Sequence, residues 1–366
     1  MLRENLDMNV RMKRSVQGSR FVIPSVTRRQ MLAGLGILGS TAVFGPHQIW
    51  QRNLLAADPS SDDRAPIPTR LLGKTGVRVS MMALGGAHFI RRSEEDGLRI
   101  AHEAIDLGVT FFDNAWEYNE TRSETVMGKA LKGKRDRVFL MTKVCTHGRG
   151  KAVAMRQLEQ SLRRLGTDYL DLWQIHEVNC QDDHDILFAP GGVAEALLEA
   201  KQQGKVRFVG FTGHKDPDVH ARVLKQQFPF DTCQMPLNVF DASFRSFEQL
   251  VLPELLRQGI APIAMKTLCG KGQPIKDGVL RAEEGLQYVW SLPVATIVSG
   301  VDSLDHLREN AGHAKRFVAM KSEEMAALRA HVAAYADGRF EGYKTGASWS
   351  CDREKVEERF GPRDRA

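Results

Sequence analysis

Cysteine is scarce in this chain of 366 residues, and the five present (Cys145, Cys180, Cys233, Cys269 and Cys351) are an odd number with no C-x-x-C pair. Neither a disulfide framework nor a zinc or iron–sulfur site is suggested, and the thiols read as reduced and mostly packing. Aromatic residues are only 7% of the chain, and no apolar run reaches the ~20 residues that a membrane-spanning helix needs. No run of interleaved basic and aromatic residues, internal repeat or low-complexity linker interrupts the body of the sequence. What the chain does have is 42% hydrophobic and 26% charged residues, which suits one large domain or two ordinary ones and excludes a disordered chain or a coiled coil.

The formal charge of +6 invites a nucleic-acid partner until its location is read. The first 57 residues hold eight Lys and Arg against Glu4 and Asp7, and the remaining chain has equal numbers of basic and acidic residues. A balanced body has no bulk electrostatic reason to hold a polyanion, so no nucleic-acid partner is expected. Within the basic segment, Thr27-Arg28-Arg29-Gln30-Met31-Leu32 opens the uncharged stretch MLAGLGILGSTAVFG, which ends at Pro46. This resembles a twin-arginine export signal, and the stretch is short of the ~20 residues that a spanning helix needs, so it fits a signal better than a membrane anchor, with removal or retention as a tether both open. Residues 1–57 are therefore read as a leader and 58–68 as a linker. The resemblance implies recognition by the twin-arginine translocase and a periplasmic or membrane-tethered location, with a cytoplasmic location as the alternative. Gly34-x-Gly36-x-x-Gly39 matches a dinucleotide fingerprint but lacks a strand before it, and Pro46 cuts the helix that should follow.

From residue 69 the chain alternates short β-branched or apolar runs with amphipathic runs of helical length, the pattern of a parallel sheet wrapped by helices. Strands are expected at Ser80–Gly85, Thr110–Asp113, Val138–Val144, Leu170–His176, Val206–Thr212, Thr232–Pro236, Ala261–Lys266 and Thr296–Ser299. The intervening helices fall near 94–107, 123–131, 151–165, 193–203, 217–226, 247–258, 280–291 and 303–314. Eight such units predict an α/β fold, a (β/α)8 TIM barrel over 69–320. An N-terminal hairpin over Thr69–Val79, turning at Lys74-Thr75-Gly76, precedes it. A C-terminal extension over 321–366 supplies a helix near 322–336 and a polar tail.

In a closed parallel barrel the C-terminal strand ends line the reaction pocket. Asp113 closes the second strand, Lys143 nearly closes the third, His176 closes the fourth, and Tyr118 follows Asp113 by five residues. A lysine inside Phe-Leu-Met-Thr-Lys-Val must pair its ammonium, because an isolated buried cation is very costly, and Asp113 is the obvious partner. A phenol ionises near pH ~10. An ammonium ~4 Å away favours phenolate by ~4 kcal/mol at an effective dielectric of 20, which is expected to bring proton transfer toward neutral pH. Tyr118 is thus a candidate general acid and His176 a candidate hydrogen-bond donor to a substrate oxygen.

The ordered set Asp113, Tyr118, Lys143 and His176, on an eightfold βα chain opened by LGKTGVRVS and ALGGAHF, resembles the aldo-keto reductases over residues 69 to 314. That resemblance implies reduction of a carbonyl (aldehyde, ketone or sugar) by hydride from NADP(H) or NAD(H), with Tyr118 protonating the oxygen. A barrel that holds the nicotinamide as a regulatory sensor with little turnover is the rival. The resemblance also assigns Gln234 to the nicotinamide carboxamide, Glu309 and Asn310 to the adenine, and Ser299 and Gly300 to phosphate. Gly86 at the first strand end and Thr212, Gly213 and His214 at the fifth complete the cofactor cleft. Met265 replaces the aromatic that often covers nicotinamide, with Lys266 next to it. Ser303 stands where many members have a basic residue for the 2′-phosphate, so Lys266 and His214 are the expected sources of charge. Cys351 is alone in the tail, whereas some relatives with such leaders end in an iron–sulfur cysteine cluster. The tail is read as folding over the barrel mouth, and the acidic run around His184 as an exposed loop with no metal.

Overall fold

The turn expected at residues 74–76 forms because Gly76 adopts φ 75°, in the left-handed region that favours glycine. It joins β1 (Thr69–Leu71) to β2 (Arg78–Ser80) in an antiparallel hairpin that pairs Thr69 with Ser80. The computed structural model describes residues 66–145, 149–346 and 351–352; the leader, most of the linker and the end of the tail lie outside the described residues. Leu72 and Val79 of the hairpin region pack with the barrel residues Phe111, Phe139, Met141, Leu172 and Ile263, which plugs one end of the barrel. Arg70 locks the plug by donating to the carbonyls of Val294 at 2.9 Å and Trp290 at 2.7 Å.

The eight expected strands form as β3 (Met82–Gly85), β4 (Phe111–Asp113), β5 (Phe139–Val144), β6 (Leu170–Ile175), β7 (Val206–Thr212), β8 (Thr232–Pro236), β9 (Ala261–Met265) and β10 (Thr296–Ser299). Each is parallel to its neighbours, and β10 closes the barrel by pairing with both β9 and β3. Helices cover the outside, so most strand residues are buried on both faces, Arg207 of β7 being exposed, and the sequence reads as apolar runs more than as alternation. The fold is an α/β (β/α)8 TIM barrel with an N-terminal hairpin.

Several boundaries differ from the sequence reading; among them, β6 ends at Ile175 and β9 at Met265, so His176 and Lys266 lie just past their strands. Ser80 belongs to the hairpin, so β3 begins at Met82. The helix expected over 247–258 is two helices, Phe247–Leu250 and Leu252–Gln258, because Pro253 has no N–H to continue the first and fits the opening turn of the second. The acidic run is not an open loop: Asp183–Phe188 is a short helix anchored by the buried Leu187.

The strand period of two sets up the site. Along β5, Phe139 and Met141 face the barrel interior while Leu140 and Val144 join the outer core shared with the helices. Lys143 therefore continues the interior row and reaches the open end. The same parity carries Asp113 after Phe111, His176 after Leu172 and Gln174, and Gln234 after Thr232, which accepts a hydrogen bond from Gln174 at 2.9 Å. Inward rows that are apolar low in the barrel become polar at its mouth.

Of the tail, residues 341–346 pack against the loops that follow β7 and β8, where Asn238 donates to Glu341 at 3.0 Å. Lys344 is wholly buried with Asp241 and Glu341 and donates to the Phe244 carbonyl at 2.9 Å. Arg245 donates to the Lys344 carbonyl at 2.7 Å. Cys351 is disulfide-bonded to Cys180, on the loop that follows β6. This corrects the reading of all five cysteines as thiols: spacing cannot show that residues 171 positions apart meet, and Cys145, Cys233 and Cys269 remain as buried thiols.

Two stability predictions follow from these anchors. Lys344→Met leaves two buried carboxylates without a counter-charge and should cost about 3–5 kcal/mol in urea unfolding; an unchanged midpoint would show that the tail does not depend on the pair. Cys351→Ser, or reduction of the parent, should cost about 2–4 kcal/mol in the same assay, with equal stability of oxidised and reduced protein as the contrary result.

Candidate active site

Lys143 is 1% exposed, and its three ammonium hydrogens have three acceptors: Asp113 Oδ1 at 2.7 Å, the Asn114 carbonyl at 2.7 Å and Tyr118 Oη at 3.3 Å. An amine so engaged has no free lone pair for Schiff-base chemistry. Because Tyr118 Oη accepts from Lys143, its own hydrogen is left to point elsewhere, and no acceptor is bonded to it among the described residues. Four sequence-predicted residues thus meet, since Tyr118 also lies edge-on to His176 with ring centroids 5.6 Å apart.

The electrostatic expectation for Tyr118 is overturned. Its phenol is held well above its usual value, first by burial and then by the negative charges of Asp113, Glu117 and Glu177. The Lys143 ammonium, which donates to Tyr118 Oη and is paired with Asp113, does not outweigh burial and these charges. A neutral phenol remains suited to proton donation, because an alkoxide is far more basic than any phenolate.

Glu117, which the sequence reading passed over, is hydrogen-bonded to His176 Nδ1. Burial opposes its ionisation, but the charge and hydrogen bond of His176 outweigh burial and hold its carboxyl below the usual range. The loop bearing His176 is staged from below. Arg149 donates to the carbonyls of His176 at 2.9 Å and Glu177 at 3.0 Å, and Asp183 accepts from the amides of Asn179 and Cys180. The only local sign of Glu117 was its place beside Tyr118 in DNAWEY; its partner is 59 residues away.

The cofactor-cleft candidates lie around the same mouth. Gly86 donates to the Asp113 carbonyl at 2.7 Å, and a Cβ there would stand 2.6 Å from that oxygen, so only glycine fits. Gln234 Nε2 donates to Asp113 Oδ2 at 2.9 Å, and among the described residues its buried Oε1 has no partner. Thr212 is paired with Gln234 across β7 and β8, and Gly213 donates to the Gln234 carbonyl at 3.3 Å. Met265 ends β9, and the half-buried Lys266 follows with φ 56°. Asn310 donates to Ser299 Oγ at 3.0 Å, Gly300 packs against His88, and Glu309 is exposed.

Two of these residues do other work than expected. Burial, followed by the positive charges of Lys266 and His176, keeps the His214 imidazole well below its usual value, so it supplies no charge at neutral pH. His214 instead stacks on Tyr343 of the tail, with centroids 6.1 Å apart. Ser303 caps the helix Leu304–Lys315 by accepting from the His306 amide at 3.2 Å, and Asp302 pairs with His306 at 2.7 Å. Lys266 is subject to the fields of Glu177, Lys143 and Asp113 at the strand ends, and burial lowers its ammonium. Among the described residues no cluster of His, Cys, Asp and Glu is arranged to hold a metal.

Comparison with known proteins agrees with this arrangement. The sequence profile of the aldo/keto reductase family matches residues 81–273, more than half of the chain. The aldo-keto reductase YhdN of Bacillus subtilis is 30% identical over 213 residues, 54% of this chain and 61% of that protein. Among solved structures, an aldo-keto reductase of Bacillus halodurans in its holo form aligns with a TM-score of 0.61 at 26% identity, over 72% of this chain and 95% of that one. An aldo/keto reductase of Klebsiella pneumoniae in complex with NADP and acetate aligns at 0.57 with 26% identity, over 74% and 96%. With the closed parallel barrel and the convergence of Lys143, Asp113, Tyr118 and His176 at its mouth, these matches lead to one conclusion: the chain belongs to the aldo/keto reductase family of oxidoreductases.

Proposed function

We propose that the protein reduces the carbonyl of a small molecule (an aldehyde, ketone or sugar) to an alcohol with NAD(P)H, and that Tyr118 is the proton donor. The observation that carries this reading is the hydrogen bond from Lys143 to Tyr118 Oη, which leaves the phenol hydrogen unassigned and available to substrate. Asp113 holds Lys143 in place, and Lys143 stabilises the phenolate once the hydrogen has left. His176, beside the phenol, orients the carbonyl oxygen.

The nicotinamide, when bound, supplies the hydride. The cleft suits such a group: among the described residues the buried Gln234 Oε1 lacks a partner, and it can accept from a carboxamide. Lys266, Ser299 and Gly300 offer a cation and a loop leading to a helix N-terminus for phosphate, with Asn310 and Glu309 beyond them. With Ser303 and Asp302 engaged at the helix cap and His214 neutral, the turn has no dedicated partner for a 2′-phosphate. NADH and NADPH are therefore expected to bind the parent protein within about tenfold, or 1.4 kcal/mol, in a fluorescence titration; a hundredfold preference for NADPH would contradict the assignment of Ser303.

The Arg28-Arg29 leader supports export through the twin-arginine translocase, and the Cys180–Cys351 disulfide fits an oxidising destination. Cell fractionation with N-terminal sequencing tests this, and a purely cytoplasmic full-length chain speaks against it.

Tyr118→Phe should lower turnover of NADPH with a panel of aldehydes, ketones and sugars by about 10²–10⁴, with cofactor affinity unchanged within a few-fold. Near-normal turnover would remove the phenol from the mechanism, and cofactor binding without turnover in the parent would favour a sensor.

A further inference from the structure

We propose that Glu117 is a positioning residue of the reductase: it holds His176 as the cationic half of an ion pair, so that Nδ1 donates to Glu117 while Nε2 keeps a hydrogen for the substrate oxygen. This rests on the reductase reading of the site. An imidazole that gives its Nδ1 hydrogen to a carboxylate and carries no other has a bare Nε2, which can only accept. A carbonyl oxygen also only accepts, so such a ring could not orient it. Only the doubly protonated ring donates at both ends.

The surroundings fit that state. Glu117 is 7% and His176 8% exposed, so the pair lies in a setting where water screens little of the attraction. Among the described residues His176 Nε2 has no hydrogen-bond partner, while Nδ1 is occupied by Glu117. The Arg149 bond to the His176 carbonyl fixes the backbone, so the carboxylate contact sets the ring. Of the charged groups nearby, Lys143 from β5 acts on Glu117, Asp113 from β4 and Glu177 act with Glu117 on the adjacent Tyr118, and Arg149, which donates to the His176 carbonyl, is paired with Asp183 at 3.4 Å. Lys143 is matched by Asp113, and Lys266 is subject to the field of Glu177. His214 is neutral and 3.9 Å from Glu177. Glu117 is then the carboxylate in hydrogen-bond contact with the ring, and the negative charge that balances it.

The pair differs in task from the Lys143–Asp113 pair. Lys143 acts on the oxygen that loses a hydrogen, whereas His176 acts on the oxygen that gains one. No hydrogen leaves His176 during the reaction, so the ring is reset without a further step.

Nitrogen NMR of labelled histidine in the cofactor-free protein tests the charge state, with His176→Asn to assign the signal. Both ring nitrogens of His176 should carry hydrogen at pH 7.5, where a free imidazole, with its value near 6.5, carries about one. A singly protonated ring at that pH overturns the proposal, and this readout needs neither substrate nor turnover, so it separates the proposal from the reductase reading. In Glu117→Gln the amide can still touch Nδ1 but brings no charge. Its kcat should fall at least about tenfold at pH 8 and recover toward pH 6. Glu117→Asp keeps the charge on a shorter stem, and should retain the parent pH profile at reduced kcat. If Glu117→Gln shows the parent pH profile, or Glu117→Asp shows the Gln profile, Glu117 is a packing residue only.

Discussion

A single ammonium group organises the mouth of this barrel. Lys143 ends an inward row that begins with Phe139 and Met141, so the strand that buries its stem also places its charge beyond reach of bulk water. A buried cation persists only when its hydrogens are all taken. Asp113, the Asn114 carbonyl and Tyr118 take them. That requirement places β4 against β5 in register, sets the turn after β4, and orients the phenol. Asp113 then binds Gln234 from the far side of the barrel, so the same carboxylate links the reacting corner to the cofactor cleft.

Around this centre the protein distributes negative charge with some care. Asp113 answers Lys143, and Glu117 faces His176. Together with Glu177 they raise the cost of a phenolate in the resting protein, and burial raises it further. The phenol is kept neutral until a more basic oxygen is generated beside it. A resting phenolate would be a poor acid, so the raised value is compatible with proton donation, although it runs against a simple reading of a lysine next to a tyrosine.

The loops and tail hold these groups from outside. Arg149 and Asp183 stage the His176 loop, the disulfide at Cys180 ties that loop to the tail, and Lys344 fastens the tail through Asp241 and Glu341. Tyr343 lies over His214 and donates to Glu341 at 2.9 Å. The wall of the mouth is therefore built from three parts of the chain that are distant in sequence. Such walls vary in substrate selection because loops tolerate change more readily than the strands beneath them.

Apolar period, glycine and proline punctuation, and polar residues at strand ends are local properties, and from them the sequence by itself determined the eight units, the hairpin turned at Gly76, and the quartet of Asp113, Tyr118, Lys143 and His176. Pro253 was equally visible, yet the break it makes between Leu250 and Leu252 was missed because the apolar pattern continues across it. Only the tertiary structure decided the partners of groups far apart along the chain. Glu117 with His176, Cys180 with Cys351 and Lys344 with Asp241 are such pairs, and no periodicity announces them. It also decided the protonation tendencies of Tyr118 and His214, since these follow from burial and from every charge within a few ångströms, which a linear sequence does not rank.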